Sequence, residues 1–63
     1  MKHKNNKYFV VFCYLKNDEK GLGNTEYLFR KPIDDINDVR EIEGAIQIAN
    51  RYDEVAILNY QKM

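Results

Sequence analysis

The sequence predicts one α+β domain of β-hairpin–helix–strand (ββαβ) type. Its three strands should form an antiparallel sheet of order 2-1-3, with the helix packed on one face. Three observations predict this. Tyr8 to Leu15 is an unbroken run of aromatic, aliphatic and thiol side chains. Apolar residues recur at three- and four-residue steps between Ile36 and Ala49. A second β-rich run occupies Glu54 to Tyr60.

The N-terminal segment 1–6 is polar and contains Lys2, His3 and Lys4, so it is read as a flexible basic tail ahead of a single domain at 7–63. In the first strand Tyr8, Val10, Phe12 and Tyr14 share one face, and Phe9, Val11, Cys13 and Leu15 share the other. Two apolar faces mark a central strand. Lys16 to Gly23 reads as the turn region, because Asn17, Asp18, Gly21 and Gly23 all tolerate positive φ. Asn24 to Arg30 then alternates as the second strand, and Pro32 ends it.

Asp35 is the expected N-cap of the helix, with Asp38 at the position of a capping-box partner. The helix should run from about Ile36 to Asn50 or Arg51. Its apolar stripe is Ile36, Val39, Ile42, Ile46 and Ala49, widened by Ala45, Ile48 and Tyr52. Gly44, inside this helix, costs about 1 kcal/mol relative to alanine. It marks either simple tolerance or the close approach of another backbone. Beyond Asp53, the third strand has apolar groups on both faces.

One helix covers one face of such a sheet. The other face keeps apolar side chains in water, each forgoing roughly 1.5–3 kcal/mol of burial. The 63 residues hold a single cysteine, so no disulfide within the chain supports so small a domain. A homodimer is therefore expected, through the open sheet faces or through paired edge strands. Tyr8, Val10, Phe12, Tyr14, Tyr27 and Phe29 are the candidate dimer or sheet-face contacts.

Ten basic and ten acidic residues cancel, which removes the general attraction to nucleic acid that a basic excess gives. Asp34, Asp35, Asp38, Glu41 and Glu43 gather around the helix start and form a candidate acidic face for a partner. They equally serve the helix dipole. No stretch reaches the length of a membrane span. The short run behind the basic N-terminus lacks a cleavage signal, so a cytoplasmic location is expected.

No catalytic constellation is legible, and no enzyme activity, metal or cofactor is expected. Gly21-Leu22-Gly23 lacks the remaining glycines and the lysine of a phosphate loop and reads as turn geometry. His3 has no paired carboxylate near it in sequence. Cys13 lies among apolar neighbours, as a small hydrophobe does. The Asp34–Asp38 cluster lacks the glycine of a calcium loop. Glu41 and Glu43 fall on different helix faces and do not form an acid–base pair.

Tyr8-Phe9-Val10-Val11, Gly21-Leu22-Gly23-Asn24, Lys31-Pro32-Ile33, Val39-Arg40-Glu41-Ile42-Glu43 and Val55-Ala56-Ile57-Leu58-Asn59-Tyr60 together carry a resemblance. In this order they resemble a group of very short proteins of Gram-positive phages and prophages, across nearly the whole chain after the basic tail. The motifs are mainly structural. Within that group the chain is similar to small anti-defence proteins of the anti-Hachiman type, dimers that counter a helicase–nuclease defence. The resemblance implies phage origin, action in the host cytoplasm and a host defence protein as partner. It brings no catalytic residues.

Two other functions are weighed beside this one. A nucleic-acid-binding module would use Lys2, Lys4, Lys7, Arg30 and Lys31, with aromatic side chains stacking on bases. A small-molecule-sequestering protein would hold its ligand at the dimer seam.

Overall fold

A computed structural model describes residues 6–63; the basic segment 1–5, most of the expected tail, lies outside them. The elements are β1 (Asn6–Lys16), β2 (Glu19–Phe29), α1 (Ile36–Asn50) and β3 (Glu54–Lys62). The sheet order is β2-β1-β3, and both pairings are antiparallel. The architecture is the expected ββαβ, with the most apolar strand in the middle. Asn6, assigned to the tail from sequence, instead starts β1. It is buried, and its Oδ1 accepts from Lys62 Nζ at 3.1 Å.

The hairpin corrects the sequence reading. Its turn is only Asn17-Asp18, with φ of 51° and 66°, the positive pair that a two-residue type I′ turn requires. Gly21 and Gly23 are strand residues without positive φ. They face Tyr14 and Phe12 across the ladder, and the two aromatic rings lie over the space where their Cβ atoms would be. Glycine serves here by leaving room for a ring, not by turning the chain.

Asp35 caps α1 as expected: its carboxylate accepts from the N–H groups of Asn37 and Asp38, at 2.9 and 3.2 Å. Asp38 does not close a capping box on Asp35. Its Oδ2 accepts from Asp34 N–H, one residue before the cap, and from Lys31 Nζ. At the other end Arg51 adopts the left-handed conformation, and Tyr52 N–H returns to Gln47 C=O at 3.0 Å, a Schellman closure.

The core lies between the sheet and α1: Tyr8, Val10, Phe12 and Phe29 below, Ile42 and Ile46 above, with Tyr14, Tyr27, Ile33, Tyr52, Val55 and Ile57 packed around them. Buried Tyr8 satisfies its hydroxyl by accepting Ile33 N–H at 2.9 Å, which pins the segment leading into the helix. Tyr14 stacks on Tyr52 with ring centres 4.2 Å apart. The helix stripe is narrower than its periodicity promises, since Ile36, Ile48 and Ala49 are exposed. A Cβ added at Gly44 would meet nothing within 4 Å, so among the described residues no backbone of the sheet approaches that glycine closely.

This arrangement corrects the candidate sheet-face set. Tyr8, Val10, Phe12 and Phe29 lie under the helix, and Tyr14 and Tyr27 flank them. The four buried ones are unavailable as dimer contacts because α1 covers them, while Tyr14 and Tyr27 stay half-buried at the margin. The uncovered face carries the opposite parity: Phe9, Val11, Cys13 and Leu15 of β1, with Leu22 and Leu28 of β2 beside them.

Candidate interaction surface

The five acidic candidates come together around the start of α1, and the fold has already engaged them. Asp35 caps the helix. Asp38 is only 5% exposed and accepts from Lys31 Nζ at 2.6 Å. Arg30 and Glu41 form a two-pronged pair, with the second contact at 3.0 Å. Glu43 reaches across to β3 and accepts Ile57 N–H at 2.8 Å. Asp34 is exposed, its side chain at 69%, with Lys31 Nζ at 3.8 Å. Two cations thus offset part of the cluster's charge, and backbone N–H groups engage Asp35 and Glu43, so fewer of its carboxylates are free for a partner than its sequence promises. The same pairing engages Arg30 and Lys31, two of the cations that the nucleic-acid reading relied on. Lys2 and Lys4 lie outside the described residues, and Lys7 pairs with Glu26 at 3.5 Å.

These pairs shift protonation in a consistent sense. The hydrogen bond from Lys31, with that from Asp34 N–H, holds the Asp38 carboxyl below its ordinary range. The Arg30 hydrogen bond does the same for Glu41. Reciprocally, the hydrogen bonds to Asp38 and Glu41 raise Lys31 and Arg30. A carboxylate depressed in the folded state contributes stability that is fully present above its unfolded pKa, near about 4, and is lost as pH falls through the lower folded value. Raised Lys31 adds the mirror loss at alkaline pH, above about 10.4.

The melting temperature should therefore hold level at neutral pH and fall as pH drops below about 4. Asp38→Asn should lower the neutral-pH value and flatten that acid limb. Glu41→Gln, at an exposed pair that solvent screens, should change little. Thermal melts across the acid range check this; an acid limb of unchanged steepness in Asp38→Asn would contradict it.

The open sheet face has the opposite character. A row of apolar side chains runs along β1, with Phe9 39% exposed, and Leu22 and Leu28 beside it are 73% and 56% exposed. Lys7, Lys20, Asn24, Glu26, Glu54 and Gln61 surround them on the ladder. An apolar centre within a polar rim is the usual anatomy of a protein interface. Sequence reasoning placed the β1 residues and Leu28 on sheet faces without identifying the uncovered one, and left Leu22 in the turn. Only the tight turn at Asn17-Asp18, which tertiary fit selects, sets Gly21 and Gly23 opposite the aromatics of the covered face.

A groove of about 440 Å³ separates the start of α1 from β3, with Ile33, Ile36, Val39, Leu58 and Tyr60 in its walls. Cys13 is a free, half-buried thiol on the open face. Among the described residues, no His, Cys, Asp and Glu side chains are grouped to hold a metal, and no helix is long and apolar enough to cross a membrane. Comparison with protein-family models, curated proteins and solved structures finds no match for the chain.

Proposed function

We infer that this chain is a small non-enzymatic binding protein that works as a homodimer and blocks a bacterial anti-phage defence protein. The observation that carries the binding role is the uncovered apolar sheet face, where Phe9, Leu22 and Leu28 stand exposed. Contiguous patches of this kind mark interaction surfaces. The target class rests on the resemblance to short phage and prophage proteins. Docking is assigned to the open face rather than the acidic cluster, because the fold already engages Asp35 as a cap, Asp38 and Glu41 in ion pairs and Glu43 on a backbone N–H.

Bacteria carrying individual anti-phage defence systems, a helicase–nuclease system first among them, provide the test. Expression of the chain should restore plating of a phage that the system blocks. Phe9→Lys combined with Leu28→Lys should abolish the rescue while leaving the circular dichroism spectrum unchanged. Rescue by neither protein under any system would reject the inhibitor role. Equal rescue by both would reject the open face as the docking surface.

A further inference from the structure

A three-stranded sheet has two edges, and this fold treats them differently. The two-residue turn makes Lys16 and Glu19 a hydrogen-bonded pair. Alternation then directs the backbone groups of even-numbered β1 residues toward β2 and those of odd-numbered ones toward β3. Contacts at both ends agree: Lys7 C=O accepts from Met63 N–H, and Leu15 C=O accepts from Asp53 N–H. By the same rule Lys20, Leu22, Asn24, Glu26 and Leu28 point their backbone groups outward from β2.

Ile57 of β3 stands opposite Phe12, so its N–H also points outward. There it is taken by Glu43 Oε2. At the next residue, Leu58, the register shifts. A carboxylate plug and a bulge are two of the devices that stop an edge strand from pairing. The β2 edge has neither. It runs for eleven residues without a proline or a register shift. Among the described residues the outward N–H and C=O groups of Lys20, Leu22, Asn24 and Leu28 have no hydrogen-bond partner. Only Glu26 C=O is contacted, by the Thr25 hydroxyl at 3.3 Å.

We propose that β2 pairs antiparallel with β2 of a second copy about a twofold axis at Gly23, joining two sheets into one of six strands. This rests on the homodimer reading above and gives it a geometry. Charge selects the register. Centred on Gly23, Lys20 of each copy stands opposite Glu26 of the other, whose exposed carboxylate it would share with Lys7, 3.5 Å away in its own copy, and Leu22 stands opposite Asn24. Twofold symmetry makes each favourable pair occur twice. All these residues point their backbone groups outward, so the facing pairs exchange hydrogen bonds. Centring on Asn24 instead would set Lys20 against Leu28 and Leu22 against Glu26. At the axis Gly23 meets Gly23, with no side chain to obstruct the approach. The dimer leaves the open faces of both copies side by side and free for a target.

Light scattering after size-exclusion chromatography of the full chain, over a concentration series, tests this, with circular dichroism to confirm folding of each variant. Wild type should run at twice 7.5 kDa. Lys20→Glu, on the exposed edge, should weaken the dimer at least about tenfold by placing like charges together twice. Glu26→Lys should also weaken it, while the double variant should restore it. Asn24→Pro removes an outward N–H without touching the β1 ladder and should give monomer. Phe9→Lys, on the open face, should leave the dimer intact. A dimer that survives Lys20→Glu and Asn24→Pro but splits in Phe9→Lys would overturn edge pairing and keep the homodimer. A wild-type monomer at every concentration would overturn both.

Discussion

Ile42→Ala should cost about 2–5 kcal/mol, the range for a large aliphatic side chain removed from a packed core. Ile42 is fully buried, at the centre of the helix face that covers Val10 and Phe12. A domain of this size has a total stability of roughly 3–9 kcal/mol, so the variant should sit close to its unfolding threshold. Its melting temperature should fall by at least about 10 °C. Ile48→Ala is the control, since Ile48 is 81% exposed and its truncation should fall within about 0.5 kcal/mol of wild type. Alanine is the better helix former at both positions, so helix propensity cannot produce a loss at 42 alone. Thermal and urea melts at one fixed protein concentration check the pair; equal losses would mean that the helix presents a different face to the sheet.

That contrast shows where periodicity stops being informative. Ile36, Ile42, Ile46 and Ile48 all look like stripe members in sequence, yet the sheet is narrow and accepts only the middle pair. The number, type and order of the elements were legible because each rests on local chemistry: an apolar run, an N-cap at Asp35, a strand ended before Pro32. The hairpin register was not, because four residues compatible with positive φ lie between Asn17 and Gly23 and local chemistry does not choose among them. Tertiary fit chooses, since only the tight turn sets Gly21 and Gly23 under the rings of Tyr14 and Phe12.

The candidate site was legible in the same uneven way. An uncovered face followed from counting one helix against a sheet with two apolar faces. Which of the two faces it was depended on the side that α1 packs, and alternation within the strands does not choose that side. The acidic cluster was visible as composition, but its internal pairing needed the third dimension. Arg30 and Lys31 precede the helix by several residues, and only the fold returns them to Glu41 and Asp38. Glu43 is the sharpest case. In sequence it is one more surface acid, and in the fold it occupies a backbone donor on β3 that another strand would otherwise use.

Gly23→Ala should destabilise the protein by about 1–3 kcal/mol, the cost of overpacking a filled core, although alanine is the better residue in a strand on conformational entropy. Its Cβ would fall 2.8 Å from the Phe12 ring, and Phe12 is buried among Tyr8, Ile42 and their neighbours, with little freedom to move. Gly21→Ala meets Tyr14 even more closely, but that ring is only half-buried and gives way at the expense of its stacking on Tyr52 rather than of the closed core. Its cost should therefore be smaller. Gly44→Ala should have the opposite sign, a gain of about 1 kcal/mol, because open space surrounds the added methyl and the helix loses its poorest former. Three identical substitutions should thus order as Gly44 above wild type, then Gly21, then Gly23, by denaturant midpoint at constant slope. Adding Phe12→Leu to Gly23→Ala should cost less than the sum of the two single changes, because the smaller side chain vacates the space that the new methyl needs. Strict additivity would show that the ring and the glycine are not in contact, and would leave the glycine at 23 without the packing role assigned to it.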